Sequence, residues 1–343
     1  MIQKTVRIQD VAKVAGVSTA TVSRALSNPE ILTEKTRDAV FEAIRITGYR
    51  ANHAARSLRT QRAGAVLVLV PSLDNPFFSQ ILAGISAAFA NSGYSVLISD
   101  TAAKTSSGKR HVDYFLDSRI DGMISLDGGL TEQDLASFGQ SGVDDRIVFA
   151  CEWVHGANYP SVRSDNIQGA KLAIRHLYDL GHRAIAHVTG PKGNVLTHAR
   201  REGVLAERKR LDLPVRDEWI IRGDFTLQSG REGAKRIVEM DHPPTAVFCA
   251  SDMVAFGMIA GLHENGVSVP DDISVIGFDD IELSEFYVPA LTTIRQDRRR
   301  LGTRAADLLM GKMRAPEPDR ITGIDLLDVE LTARESTAPP RRG

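Results

Sequence analysis

The sequence predicts an all-α helix-turn-helix head over residues 1–48, followed by an α/β core of two doubly wound subdomains. Three observations carry that expectation. Residues 8–27 read as two short helices joined at Gly16. From Ala65 onward, short apolar runs alternate with helix-compatible stretches. Charge divides the same way: residues 1–62 hold eleven Lys and Arg against five Asp and Glu, a net of +6, and the remainder carries −7. A basic head on an acidic body is the footprint of a nucleic-acid-binding module joined to a domain with another task.

In the head, small Ala12 lets a second helix approach the first. Gly16, four residues on, takes a positive φ in the turn without a Cβ clash. Val22, six further on, packs the second helix back, and Ser18 suits its N-cap. Leu26 lies four residues after Val22 and is expected to face inward with it. Thr19, Ala20, Thr21, Ser23 and Arg24 give the outer face short polar groups and one guanidinium. An ordinary helical hairpin would share the small-Gly-apolar spacing, but that outer face is poor core material and good material for phosphates and base edges. Asn28-Pro29 marks a turn. Thr33 caps a third helix with Glu34 in its first turn, Val40, Phe41 and Ile44 as its inward face, and Gly48 at its end.

Residues 49–62 follow. Asn52 can cap a helix of about two turns, His53 to Arg59, with almost no apolar face. The segment is either a solvated linker or a hinge helix that orders on DNA. In the second case Leu58 is a lone apolar wedge among Arg56, Ser57 and Arg59, suited to a minor-groove step.

Ala65–Val70 then reads as a fully buried parallel strand. Further runs at 96–98, 122–124, 147–149, 184–186, 219–221, 245–248 and 274–276 each precede turn signals and a helical pattern. In such sheets ligands bind beyond the carboxyl ends of the strands, so the cleft between two subdomains is the expected pocket.

Composition narrows the function classes. With 43% hydrophobic residues the chain can pack a core. No apolar run approaches the ~18 residues of a bilayer span, and Met1–Asp10 lacks the apolar segment of a signal peptide. Cys151 and Cys249 form no metal-type cluster and are expected to be buried in a reducing compartment. A cytoplasmic protein without metal or cofactor is expected. Two other classes share an α/β body. A periplasmic solute-binding protein needs a signal peptide and no basic head. An α/β enzyme with a helical appendix should show a Gly-x-Gly-x-x-Gly, Walker, His-Glu-x-x-His or Gly-x-Ser-x-Gly motif, and none is present.

Specific segments go further. Asp10 to Arg24, Ala55-Arg-Ser-Leu58, Asn75-Pro-Phe-Phe78, Ser164-Asp-Asn166, Pro244 to Asp252, Val275 to Asp280 and Pro289 to Ile294 occur in the order and spacing of one family. Nearly the whole chain resembles repressors of the lactose-repressor/galactose-repressor family. In Cys151-Glu-Trp153, Gly223 to Thr226 and Asp279-Asp-Ile281 it is similar to the cytidine-responsive branch. The resemblance implies a periplasmic-binding-protein-like core, and a homodimer that binds a palindromic operator in double-stranded DNA. It also implies a small sugar or nucleoside effector that alters operator affinity. The implied domains are 1–48, a hinge over 49–62, a first core subdomain of 63–163 with about 295–323, and a second of 164–294 with about 324–334. A tail at 335–343, which has no heptad pattern, is expected to be disordered.

The same resemblance distributes roles. Thr19, Ala20 and Arg24 would contact bases, with Arg24 able to pair bidentately with guanine. Ser18, Thr21, Ser23 and Asn28 would contact phosphates, and Ala55 and Leu58 the minor groove. Phe77 and Phe78 would flank the effector, although two aromatics opening a helix also suit a core. Arg200 would clamp the effector and Asp279 accept its hydroxyls. Asn194, Phe225, Glu152, Trp153 and Asp252 rank second. Asn194 and Leu196 replace the Arg and Thr with which purine-binding members read a base, which argues against a free purine.

Overall fold

The computed structural model describes residues 6–49, 62–102, 110–314 and 323–341. The expected hinge helix, with Ala55 and Leu58, lies outside these residues. The chain divides into two compact units, residues 1–63 and 64–343.

The head holds three helices, α1 (Ile8–Ala15), α2 (Thr19–Ser27) and α3 (Glu34–Thr47). Gly16 ends α1 at φ 65° and Gly48 ends α3 at φ 67°, left-handed turns that a side chain would strain. Ser18 Oγ accepts from Thr21 N at 3.1 Å, capping α2, and Thr33 Oγ1 accepts from Thr36 N at 3.4 Å, capping α3. The small core is Val11, Ala12, Val22, Ala25, Val40 and Ala43. Two expectations need correction. Leu26 is 37% exposed and Phe41 is 44% exposed. Ala25 and Ala43 occupy the inner stripes instead, because three closely spaced helices leave room there only for small side chains.

The second unit contains two six-stranded sheets. The first takes β1 (Ala65–Val70), β2 (Ser95–Asp100), β3 (Gly122–Ser125), β4 (Ile147–Ala150), β5 (Ser161–Ser164) and β11 (Ile324–Leu327), in the order β11-β5-β4-β3-β1-β2, all parallel. The second takes β6 (Ile185–Val188), β7 (Ile220–Ile221), β8 (Ala246–Cys249), β9 (Ser274–Asp279), β10 (Thr292–Gln296) and β12 (Val329–Thr332), in the order β12-β10-β9-β8-β6-β7. Its edge strand β12 alone runs antiparallel, to β10. Helices α4 (Phe77–Phe89), α5 (Asp113–Leu116), α6 (Glu132–Gln140), α7 (Asn166–Asp179), α8 (Val195–Arg210), α9 (Leu227–Val238), α10 (Asp252–Glu264), α11 (Leu283–Phe286) and α12 (Arg298–Arg314) accompany them. A Cβ on Gly84 would lie 2.2 Å from Arg299 O, and one on Gly302 would lie 2.0 Å from Ile81 O. Those two glycines let α4 and α12 pack backbone to backbone.

The chain passes between subdomains three times, after β5, after β10 and between β11 and β12. Two subdomain boundaries therefore shift. The segment 324–327 belongs to the first sheet, because it ladders with 161–164, and β10 carries the second subdomain to Gln296. The tail expected to be disordered is packed through residue 341. Ser336 is fully buried and its Oγ donates to Val275 O at 2.6 Å while accepting from Thr292 N at 2.9 Å. His182 Nε2 meets Ala338 O at 2.8 Å. Backbone and hydroxyl bonds hold the tail, so its apolar content gives no sign of it.

Candidate DNA-reading helix and ligand cleft

On α2, Val22 and Ala25 are buried while Thr19, Ala20 and Arg24 are exposed. Ala20 and Arg24 are four apart, so they share one face of the helix. Among the described residues Arg24 makes no ion pair, which leaves its fork available to an external acceptor. The hydroxyls of Ser18 and Thr21 lie 2.9 Å apart. Ser18 thus spends acceptor capacity on the cap, and Thr21 is the more available of the two. Ser23 is half-buried and Asn28, the C-cap, is exposed.

The second unit holds a cleft of about 510 Å3 between its subdomains. Phe78 stands on one wall, at the start of α4, and Phe225 on the other, before α9. Phe77 meets Phe78 edge-on at 5.1 Å but is not part of the lining; it is buried behind Phe78. Asn75 Oδ1 accepts from Phe77 N at 3.0 Å and so fixes the entry into α4. Phe225 has φ 68°. Cys151, Asp279 and Asp280, at other strand ends near this seam, also have positive φ. Such strain persists only where packing over-determines it, and it gathers at binding sites.

Glu152 and Asn194 meet across the cleft. Asn194 Nδ2 donates to Glu152 Oε1 at 3.0 Å, and Gly128 N donates to Oε2 at 3.0 Å. Asn194 also caps α8, its Oδ1 accepting from Leu196 N and Thr197 N at 2.9 and 3.2 Å. Burial raises the Glu152 carboxyl above its usual range, opposed by the bond from Asn194.

Arg200 and Asp279 lie beneath the wall rather than on it. Arg200 is 2% exposed. Its Nε donates to Asn166 Oδ1 at 2.9 Å, Nη1 donates to Ala250 O, and Nη2 lies 3.5 Å from Asp279 Oδ1. Its guanidinium stacks on Phe278 at 3.8 Å and stands 5.8 Å from the Phe225 ring. Burial raises the Asp279 carboxyl, and Arg200 opposes the rise. Gln296 Nε2 donates to Asp279 Oδ1 at 2.8 Å. The pair therefore sets the floor on which Phe225 rests.

Two other expected ligand residues point elsewhere. Asp252 is fully buried, and both of its oxygens are spent on Thr293 Oγ1, Ile281 N and Ser284 Oγ at 2.5, 2.9 and 2.7 Å. It fastens the segments after β9 and into β10. Trp153 lines a different cavity and stacks under Arg163 at 4.0 Å. Conversely, Asp74, Asp127, Asp224 and Gln228 line the cleft and were not anticipated. Asp127 closely follows β3, so the rule that ligands sit beyond strand carboxyl ends could have found it.

An exposed polar recognition face and a two-lobed ligand cleft on one chain define a class: the ligand-responsive DNA-binding regulators. Residues 7–52 match the family model described as bacterial regulatory proteins, lacI family, and residues 174–337 match a periplasmic binding protein-like domain. The chain belongs to the lacI family of transcriptional regulators. It is 38% identical over 330 residues to the HTH-type transcriptional repressor CytR of Escherichia coli (strain K12), covering 96% of each chain. Identity to the repressor PurR of Actinobacillus pleuropneumoniae serotype 3 (strain JL03) is 34% over 308 residues, covering 90% of this chain and 91% of PurR. The crystal structure of the Lac repressor dimer, bound to operator and the anti-inducer ONPF, superposes with a TM-score of 0.83. It shares 30% identity, with 98% of this chain and 100% of that one covered. A LacI-family regulator from Enterococcus faecium with bound ribose superposes at 0.71, with 28% identity and coverage of 81% and 100%. These relatives are regulators, not enzymes. Among the described residues, no helix is long and apolar enough to cross a membrane.

Proposed function

We propose that this regulator is a cytoplasmic repressor that binds a palindromic operator as a homodimer, and that a neutral nucleoside or sugar in the cleft alters operator affinity. The carrying observation is the cleft lining. Phe78 and Phe225 offer two aromatic walls, and Asp74, Asp127, Glu152 and Asp224 offer four carboxylates, with no Lys or Arg among the described lining. Carboxylates accept from ring hydroxyls and repel phosphate. The expected ligand is therefore a nucleoside or free sugar rather than a nucleotide or sugar phosphate. A volume of about 510 Å3 suits a molecule of that size. The likeness to a LacI-family regulator with bound ribose supports the same choice. On DNA, Arg24 is the principal base reader, Thr19 and Ala20 contribute short contacts, and Ser18, Thr21, Ser23 and Asn28 hold phosphates. Ala55 and Leu58 are assigned to the minor groove on resemblance alone.

A thermal-shift screen with cytidine, uridine, adenosine, ribose and their phosphorylated forms tests the ligand class. A ligand at a hundred times its Kd stabilises the folded state by about 2.7 kcal/mol. The expected result is a shift with at least one unphosphorylated compound and none with its phosphate. A shift with phosphates alone, or with none of the panel, overturns the reading.

A further inference from the structure

We propose that the Glu152–Asn194 hydrogen bond is a latch, built entirely from the chain's own side chains, that holds the two subdomains at the angle operator binding requires. The proposal rests on the reading above of the cleft as the effector site of an operator-binding repressor, but not on the class of effector. Glu152 follows β4 of the first sheet, and Asn194 follows β6 of the second. Both line the cleft, and Asn194 Nδ2 donates to Glu152 Oε1 at 3.0 Å.

Each partner is fixed before it meets the other. Cys151, at φ 66°, turns the chain out of β4, and its N donates to Val162 O at 2.9 Å. Gly128 N then holds Glu152 Oε2 at 3.0 Å. A Cβ on Gly128 would lie 2.7 Å from Trp153 O and 3.3 Å from Glu152 Oε2, so a glycine is needed for that approach. On the other wall, Asn194 is the N-cap of the sixteen-residue helix α8. Its Oδ1 accepts from Leu196 N and Thr197 N, which leaves only the Nδ2 donor to face Glu152. The carboxylate thereby also sits at the positive end of α8. Among the described lining residues, no other side-chain hydrogen bond or ion pair joins the two walls. Asp74 and Asp127 on one wall and Asp224 on the other carry like charge, which favours separation. The other side-chain tie, Arg298, lies beside the chain crossings, where Nη1 donates to Phe77 O at 3.3 Å and Nη2 to Asp280 O at 2.9 Å. It pins the pivot, and the Glu152–Asn194 bond pins the walls. Two half-sites demand a fixed spacing between recognition helices. A subdomain angle that wanders therefore lowers the operator-competent fraction, and apparent affinity falls with that fraction.

Asn194→Asp isolates the latch. Aspartate caps a helix as well as asparagine does, so the bonds to Leu196 N and Thr197 N survive. The donor that faced Glu152 becomes a carboxylate oxygen, and attraction across the cleft turns into repulsion. Adding Glu152→Gln to Asn194→Asp reverses the bond. The new amide accepts from Gly128 N and donates to the new carboxylate, and the pair keeps its wild-type net charge. Full-length wild type, Asn194→Asp and the double variant are compared by fluorescence anisotropy, without effector, on labelled DNA that the wild type selects from a pool of random palindromes. A pH of 8.5 disfavours a proton shared between the two carboxylates of Asn194→Asp. Urea midpoints confirm that each variant is folded. Asn194→Asp should bind the operator at least tenfold more weakly, and the double variant should return to within threefold of wild type. Lost packing or a lost cap would show no such recovery. A loss smaller than tenfold, or a double variant as weak as Asn194→Asp alone, overturns the proposal. A cleft that binds no nucleoside or sugar sinks the ligand reading and leaves the latch standing, whereas operator binding indifferent to Asn194→Asp sinks the latch alone.

Discussion

Gly190→Ala should disable the ligand response and leave DNA binding intact. Gly190 faces the cleft wall from behind. A Cβ there would lie 2.2 Å from Phe225 Cζ and 2.4 Å from Thr197 Oγ1. Ordinary contact begins at about 3.4 Å, so the ring must withdraw by about 1.2 Å. Its way out is the cleft, because the buried Arg200 supports it from the other side at 5.8 Å. Moving the ring into open space costs the fold little, but buried Thr197 has no such way out, so the substitution also carries the ~1–3 kcal/mol of overpacking a closed core. The ligand loses its wall as well. A displaced aromatic wall forfeits a stacking contact worth about 0.5–1.5 kcal/mol and also narrows the pocket. Together these should weaken the effector at least tenfold, or about 1.4 kcal/mol. Fluorescence anisotropy of a labelled operator, titrated with the effector found by the thermal-shift screen, reads both quantities. Operator affinity without ligand should stay within twofold of wild type, and the half-maximal ligand concentration should rise tenfold or more. An unchanged ligand midpoint would show that Phe225 is no part of the site.

Three further outcomes follow from the same geometry. Arg24→Ala should weaken operator binding by about 1–3 kcal/mol and relax preference at one base pair of each half-site, read by anisotropy against a set of single-position operator variants. Arg200→Met should destabilise the core by about 3–5 kcal/mol, because it removes the guanidinium beside buried Asp279, leaving that carboxylate its bond from Gln296, and takes the Arg200 donors from Asn166 Oδ1 and Ala250 O; a urea midpoint within error of wild type would refute that. His187 is fully buried and stacked on Phe248 at 4.8 Å, and burial depresses its imidazole from 6.5 to about 3. The unfolded chain therefore takes up a proton first as pH falls. This stabilising contribution is complete above pH 6.5 and declines from there toward pH 3. His176 and His182, also lowered by burial, add slope of the same sign, and His187→Leu should flatten the dependence of the urea midpoint between pH 7.5 and 5.

The helix-turn-helix was legible because it is local. Ala12, Gly16, Ser18 and Val22 act within fifteen residues, and each role follows from backbone geometry or one contact. The alternation of apolar runs with helical stretches exposed the doubly wound core for the same reason. Strands β5, β10, β11 and β12 were harder to see. Ser161–Ser164 and Thr292–Gln296 are rich in hydroxyls, and Ile324–Leu327 and Val329–Thr332 are edge strands with one open side. Their strand character comes from the neighbour they pair with, not from their own pattern.

Residue type alone determined that this chain carries a helix-turn-helix head and an alternating α/β core. Tertiary structure decided which side chains meet. Glu152 and Trp153 are adjacent, yet one faces the cleft and the other a separate cavity, because successive residues leaving a strand point in opposite directions. Arg200 and Asp279, the most chemically suggestive pair in the sequence, were drawn beneath the wall because burial demands that charges be paired. The cleft was left to Phe78, Phe225 and four carboxylates drawn from segments as far apart as residues 74 and 224. No local pattern encodes that convergence, since it depends on how two sheets are joined by three crossings of the chain.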